Sequence, residues 1–171
     1  TFYLKEKFYQ FLKNHNYKVD IEIVEDGDDI LDTGGGILNL INKSNDENFL
    51  IFNPDTIWNK AYIEEINSMI ELYFSKKIQN LLLLVNKELS FDKDMEGTFG
   101  LQNYLIYPNN KKFVYTGCQI LNRKILEKET LTNFSITKIW YDLIENNQLY
   151  GFESKLNFYH ATNLRIFKKL Q

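Results

Sequence analysis

The sequence is poor in the residues that support several common classes of protein. It contains one cysteine, Cys118, so no disulfide can form within the chain, and we expect a reducing compartment such as the cytoplasm. It has only 2 prolines, and no Pro-rich or low-complexity linker divides it. The longest apolar run, residues 81–85, is far shorter than the roughly 20 residues of a membrane-spanning helix, so we expect no membrane partner.

The chain also lacks a strong charge of either sign. Its 20 basic and 23 acidic residues give a net charge of −3, without a block of like charge. We therefore expect no nucleic-acid partner. With 44% hydrophobic residues in 171, the chain can bury the core of one domain, so we predict a single domain over residues 1–171. No heptad seam marks an interface, and we expect a monomer or a weak homo-oligomer.

Apolar periodicity predicts strands that alternate with helices. The predicted helices cover residues 2–14, a short segment after Gly36, 60–75, 136–146 and 162–170. The predicted strands cover residues 17–24, 48–53, 81–85, 115–121 and 150–153, with an antiparallel excursion within 97–121. Residues 48–53 and 81–85 are continuously apolar, as in strands covered on both faces. In helix 60–75 we expect Ile63, Ile66, Ile70 and Phe74 to face inward. The order predicts an α/β fold: a Rossmann-like three-layer sandwich around a mixed, mostly parallel central sheet.

Three consecutive glycines open the second predicted helix, in Asp32-Thr33-Gly34-Gly35-Gly36-Ile37. Glycine lets a ligand approach the backbone closely, and a helix N-terminus presents free N–H groups. We interpret Thr33, Gly34, Gly35 and Gly36 as nucleotide-binding residues. The alternative is a simple strand-to-helix turn, which needs one glycine and rarely three.

A short apolar strand ends in Asn53-Pro54-Asp55. A carboxylate after the C-terminal end of a buried strand lies where open α/β sheets bind ligands and metals. Mg²⁺ prefers such oxygen ligands, so Asp55 is the candidate metal ligand; the alternative is a helix N-cap. Asn53 steadies Asp55 or contacts the nucleotide ribose, and the alternative is that it simply ends the strand.

At these residues the chain resembles the sugar-1-phosphate nucleotidyltransferases, which have a GT-A-like α/β fold. Residues 31–37 look like the family's Leu-(Asp/Glu)-Thr-Gly-Gly-Gly loop, and residues 49–58 are similar to its Asn-x-Asp strand end. Residues 97–99 resemble a Gly-Asp-Phe turn over the sugar, and residues 112–117 resemble the Phe-x-Tyr-x-Gly return strand. Residues 134–136 and 158–160 are similar to two C-terminal blocks.

The resemblance implies transfer of a nucleotidyl group from a nucleoside triphosphate to a sugar 1-phosphate, with Mg²⁺ as cofactor. It implies a catalytic and metal-binding role for Asp55, and a sugar contact by Gly97, for which a plain turn glycine is the alternative. A glycine within a strand, Gly117, indicates close approach by either the substrate or another backbone segment, and Thr116 could contribute a hydroxyl to the substrate there. The resemblance also places His160 where many members carry a metal-binding Asp. Because imidazole is a poor Mg²⁺ ligand, His160 could instead bond a phosphate or a metal-bound water, or be an ordinary satisfied histidine.

Two departures from the family leave an alternative open. The family's N-terminal signature loop has no match here, and residues 1–4 resemble the junction that follows it. We therefore expect the sequence to be the C-terminal portion of a nucleotidyltransferase domain that is inactive alone. His160 and Thr98 replace acidic residues of the family. A non-catalytic module that binds a nucleotide-sugar is the competing hypothesis, and a plain interaction domain is a third.

Overall fold

A computed structural model describes residues 3–171 of the protein. Thr1 and Phe2 of the junction resembling the family lie outside the described residues, and Phe2 is also the first residue of the predicted helix 2–14. The helices are α1 (Lys5–Lys13), α2 (Asp32–Ile41), α3 (Tyr62–Ser75), α4 (Ile136–Glu145) and α5 (Leu164–Leu170). The strands are β1 (Asn48–Phe52), β2 (Asn80–Asn86), β3 (Gly100–Gln102), β4 (Leu105–Tyr107), β5 (Phe113–Asn122) and β6 (Tyr150–Ser154). Over residues 3–171, no helix has both the length and the apolar character needed to cross a membrane.

The chain divides into two compact units. The first contains the described residues up to 46 together with 126–139, and the second contains residues 47–125 and 140–171. The boundary falls within helix α4, and all six strands belong to the second unit. The single domain expected from the sequence stays a prediction.

The second unit is built on a six-stranded sheet with the order β1-β5-β2-β6-β4-β3. Strand β5 pairs antiparallel with β1 and β2, whereas β2 and β6 run parallel; β4 then pairs antiparallel with β6 and β3. The predicted mixed α/β sheet is confirmed. The expectation of a mostly parallel sheet is wrong for the described strands, because the long return strand β5 lies between β1 and β2 and reverses both pairings.

Strand β2 is the centre of the hydrophobic core, and residues 81–85 are completely buried, as predicted. Helix α3 covers one face of the sheet through Tyr62, Met69 and Tyr73, which are at most 2% exposed. Of the predicted inward positions, Ile66 and Ile70 pack partly buried against this core, whereas Ile63 and Phe74 are 56% and 58% exposed. The two tyrosines can be buried because their hydroxyls donate hydrogen bonds, to the Asn157 carbonyl and to Asn48 Oδ1.

Strand β1 lies at the edge of the sheet, and the expectation that it is covered on both faces is wrong. It pairs with β5 alone among the described strands, and Leu50 and Phe52 are 40% and 43% exposed. A continuous apolar run therefore does not by itself place a strand in the centre of a sheet.

The first unit contains α1, α2 and the start of α4. Residues 17–24 are not a strand, which corrects the sequence prediction: they form no ladder with any described residue. Val19 and Ile21 are 69% and 47% exposed. The alternating pattern predicts which side chains share a face, but a strand also requires a hydrogen-bonding partner.

Candidate functional site

A bulge in β5 shapes the end of β1. Leu82 pairs with Gln119 and Leu84 with Tyr115, so β5 has extra residues opposite β2 at this point. Within the bulge, Gly117 has φ +90°, and its carbonyl accepts a hydrogen bond of 2.7 Å from the Asn53 N–H. A Cβ on Gly117 would lie 2.8 Å from Asn53 Cβ. Packing against Asn53 thus explains this glycine, and its predicted contact with a sugar stays a prediction.

Two buried threonines tie the same turn to the sheet. Thr56 Oγ1 donates to the Thr116 carbonyl at 2.6 Å, and Thr116 Oγ1 donates to the Leu83 carbonyl at 2.9 Å. Thr116 is completely buried. Its hydroxyl therefore stabilises the sheet, and its position gives no support to the predicted substrate contact.

A short antiparallel bridge brings Asp55 next to His160, which is more than a hundred residues away in sequence. Thr56 pairs with His160, and the Ala161 N–H donates to the Asp55 carbonyl at 2.8 Å. Asp55 Oδ2 lies 3.2 Å from His160 Nε2. The Asp55 side chain is 48% exposed and that of His160 22%, so the carboxylate can still reach solvent or a ligand.

The other ring nitrogen of His160 also has a partner. Nδ1 lies 3.2 Å from Thr162 Oγ1, a hydroxyl that can either donate or accept a hydrogen bond. The imidazole can therefore carry its proton on Nε2, donating to Asp55, or on Nδ1, donating to Thr162. In the second tautomer Nε2 has a free lone pair, and the hydroxyl orients the ring as outer partners of metal-bound histidines do.

The donor set fits a loosely held Mg²⁺ ion. No group of three His, Cys, Asp or Glu side chains that could hold a metal occurs among residues 3–171. However, Mg²⁺ usually keeps several waters and takes one or two carboxylates, completing its shell with substrate phosphates. Asp55 supplies one half-exposed carboxylate of that kind, with His160 beside it.

Tyr115 is a residue of this region that the sequence reasoning did not single out. Its Oη is buried and has no hydrogen-bond partner among the described residues, while its ring packs edge-on against Trp140 with centroids 4.8 Å apart. Burial raises the pKa of Tyr115 well above 10, with smaller contributions from Cys118 and from the charge of Asp55. The signal available in the sequence is the tyrosine of the Phe-x-Tyr-x-Gly segment, two residues before Gly117.

The glycine-rich motif lies in the first unit, at the start of α2. The N–H groups of Gly34 and Gly35 both donate to the Phe134 carbonyl, at 2.9 and 3.2 Å. A Cβ on Gly34 would meet the Phe134 ring, and one on Gly35 would lie 2.2 Å from the Thr132 carbonyl oxygen. These two glycines are explained by packing within the protein, and their N–H groups are already bonded.

Gly36 and Thr33 differ from those two glycines. A Cβ on Gly36 would have nothing within 4 Å, so packing does not require glycine there. Thr33 Oγ1 accepts a hydrogen bond of 3.1 Å from the Ile136 N–H, at the first turn of α4. Ser135 completes this cap, because its Oγ accepts from the Thr137 N–H at 3.3 Å. Among the predicted nucleotide-binding residues of this motif, Gly36 alone has an open backbone that packing leaves unexplained.

Gly97, predicted to contact the sugar, lies where two backbone segments approach closely. A Cβ there would be 2.0 Å from the Lys111 carbonyl oxygen, and the neighbouring Thr98 N–H donates to the Phe113 carbonyl at 2.7 Å. The backbone approach accounts for this glycine, and its predicted contact with a sugar stays a prediction.

Comparison with known proteins identifies the fold. No protein-family model matches the sequence, and no curated protein matches it either. Among solved structures, the chain is similar to HddC from Yersinia pseudotuberculosis complexed with GMP-PN, with a TM-score of 0.72 at 17% identity, over 98% of this chain and 73% of that one. It is similar to the inositol-1-phosphate CTP transferase from T. maritima, with a TM-score of 0.67 at 12% identity, over 89% of this chain and 63% of that one. It is also similar to a UDP-glucose pyrophosphorylase from Acinetobacter baumanii, with a TM-score of 0.68 at 14% identity, over 96% of this chain and 65% of that one.

These structural neighbours are sugar-1-phosphate nucleotidyltransferases. The chain therefore has the α/β fold of that class, and the resemblance noted in its motifs is confirmed at the level of the fold.

Proposed function

We propose that the protein takes part in nucleotidyl transfer from a nucleoside triphosphate to a sugar 1-phosphate. In this reaction a phosphate oxygen of the sugar attacks the α-phosphorus of the triphosphate, and pyrophosphate leaves. The observation that carries the proposal is the Asp55–His160 pair at the end of β1, in a chain with the nucleotidyltransferase fold. Such a displacement needs charge neutralisation and positioning more than covalent catalysis.

In this proposal Asp55 holds Mg²⁺, and His160 either joins it as a ligand or keeps the carboxylate oriented. When bound, Mg²⁺ would neutralise charge on the phosphate oxygens. The Thr56–Thr116 and Thr116–Leu83 hydrogen bonds keep the turn that carries Asp55 against the sheet. A rigid backbone holds the carboxylate in one place during the reaction.

Nucleotide contacts are proposed separately for the two units. Gly36 offers an open backbone position that a base or ribose can approach. Asn53 lies next to Asp55 and is held by its N–H bond to Gly117. Its side chain would contact the nucleotide or steady the carboxylate.

The finer assignments are also proposals. We propose a uridylyl- or guanylyltransferase that serves cell-envelope synthesis or recycling in the cytoplasm. We further propose that it acts as a monomer or weak homo-oligomer and has no nucleic-acid partner. GMP-PN, CTP and UDP-glucose appear in the names of the structural neighbours, so the base has to be determined by experiment.

Pyrophosphate release by the full-length protein tests the proposal. UTP, GTP, dTTP and CTP are each combined with muramyl, mannose, glucose and glucosamine 1-phosphates in the presence of Mg²⁺. We expect release with one preferred pair, and we expect Asp55→Asn to lower the rate on the order of a hundredfold because a metal ligand is lost. Asp142→Asn is the matched control, since it removes an exposed carboxylate of α4 and should leave the rate unchanged.

Two results would separate this proposal from its competitor. Unchanged release by Asp55→Asn would show that Asp55 is not the metal ligand. Saturable binding of a nucleotide or nucleotide-sugar without turnover of any pair would instead favour the non-catalytic module. The observation that favours this second function is that His160 stands beside Asp55 where the resemblance leads us to expect a second acidic residue, so the pair has only one carboxylate.

A further inference from the structure

Thr162 contacts His160 on the side of the imidazole ring that faces away from Asp55. Its Oγ1 lies 3.2 Å from His160 Nδ1 and 3.5 Å from the His160 carbonyl oxygen. The other ring nitrogen, Nε2, lies 3.2 Å from Asp55 Oδ2. The ring therefore stands between a carboxylate, which only accepts hydrogen bonds when ionised, and a hydroxyl, which can donate or accept one.

The imidazole ring is held in this position by its surroundings. The His160 backbone pairs with Thr56, and the ring packs against that of the fully buried Phe158, with centroids 5.6 Å apart and planes tilted by 32°. The His160 side chain is only 22% exposed. Because the ring is held in place, the neighbours of its two nitrogens decide which nitrogen carries the proton of the neutral ring.

The two tautomers of His160 fit two states of its pair with Asp55. Without a cation, Nε2–H donates to Asp55, and the Thr162 hydroxyl donates to Nδ1. Beside a divalent cation held by Asp55, the ring has to present its Nε2 lone pair, because a proton there would face the cation. Nδ1–H then donates to Thr162 Oγ1, whose own proton turns to the His160 carbonyl. The ring exchanges one proton with solvent at each nitrogen, so its charge is unchanged.

We infer that Thr162 is a positioning residue, whose hydroxyl lets His160 carry its proton on Nδ1 and so lets the Asp55–His160 pair take a divalent cation. Only a group that both donates and accepts can partner Nδ1 in both tautomers. The inference rests on the proposed function, which places the cation on Asp55. Outer partners of histidine ligands contribute about ten- to a hundredfold in metal affinity.

The tautomer of His160 is measured by nuclear magnetic resonance on the protein with ¹⁵N-labelled histidine, and His160→Gln identifies its signals. At a pH where the ring is neutral, we expect the long-range ¹H–¹⁵N spectrum to show the proton on Nε2 without metal and on Nδ1 with saturating Mg²⁺. His15 is an internal reference. Its Nδ1 donates to the Phe11 carbonyl at 2.7 Å, so its signals should not change.

Substitutions of Thr162 test the role of the hydroxyl in the same Mg²⁺ titration. Thr162→Val keeps the shape of the side chain but removes the hydroxyl, and we expect about tenfold weaker binding of Mg²⁺. Thr162→Ser keeps the hydroxyl and should bind Mg²⁺ as the wild type does. Thr130→Val is the matched control, because it removes an exposed threonine hydroxyl of the first unit and should leave Mg²⁺ affinity unchanged.

The possible results distinguish a failure of this inference from a failure of the proposed function. The same proton position on His160 with and without Mg²⁺ would overturn the inference but leave Asp55 as the proposed metal ligand, and so would an unchanged Mg²⁺ affinity of Thr162→Val. If Asp55→Asn bound Mg²⁺ as tightly as the wild type, or if the wild type bound none, the metal assignment in the proposed function would fail, and the inference with it.

Discussion

At the residue scale, Gly117 connects the fold to the proposed site. Its φ of +90° is strained for any other residue, and a Cβ would press on Asn53. We expect Gly117→Ala to lower the free energy of unfolding by about 2–4 kcal/mol, combining backbone strain with overpacking. Denaturant unfolding followed by circular dichroism measures the change.

Gly27 provides a control that measures the cost of backbone strain without the overpacking. It has φ +85°, and a Cβ there would meet nothing within 4 Å. We expect Gly27→Ala to cost only about 1–2 kcal/mol. Equal costs at the two positions would show that the contact with Asn53 contributes nothing.

The residues of the site differ in how far the sequence could predict them. Asp55 follows an apolar strand, so its position at the end of β1 could be predicted from local pattern. Its pairing with His160 depends on the Thr56–His160 bridge, which no local pattern reveals. Only the resemblance suggested that both residues belong to one site. The unpaired hydroxyl of Tyr115 could not be predicted, because the lack of a hydrogen-bond partner is a property of the folded structure.

At the scale of the element, α2 contains three glycines that serve different purposes. Gly35 faces the Thr132 carbonyl, whereas Gly36 faces open space. We expect Gly36→Ala to raise the free energy of unfolding by about 0.5–1 kcal/mol, because alanine favours the helix. Gly35→Ala should lower it by about 1–3 kcal/mol through the clash.

Nucleotide titration of the same variants tests the function proposed for Gly36. A methyl group on the open backbone should weaken nucleotide binding even though it stabilises the helix. A Gly36→Ala variant that is more stable and binds nucleotide as well as the wild type would show that the third glycine has no role in binding.

The helices and strands show which elements hydrophobic periodicity predicts correctly and which it does not. It predicts β2, β5, β6 and α3 to within a few residues. It places Ile66 and Ile70 correctly against the core of α3 but misses Tyr62 and Tyr73, whose burial depends on hydroxyl partners elsewhere in the chain. It also predicts a strand over residues 17–24, where the alternating pattern is present and no described partner pairs with it.

At the scale of the whole molecule, the order of strands depends on contacts between distant segments. The alternation of strands and helices predicts an α/β class, and this is confirmed. The insertion of β5 between β1 and β2 makes both of its pairings antiparallel, and it follows from long-range packing rather than from any local signal.

Buried ionisable groups predict how the stability of the molecule changes at alkaline pH. Burial raises the pKa of Cys118 to about 12 from 9, and burial raises those of Tyr62 and Tyr73 to about 12 from 10. Above these ordinary values the unfolded chain loses protons that the folded protein keeps. The free energy of unfolding should therefore be insensitive to these groups below pH 9, and should fall from pH 9 to about 12. Each fully titrating group contributes about 1.4 kcal/mol per pH unit.

Between pH 9 and 10 Cys118 dominates, so Cys118→Ala should flatten that part of the curve. Urea unfolding at half-unit pH steps measures both proteins, and parallel curves over that interval would contradict the assignment to Cys118.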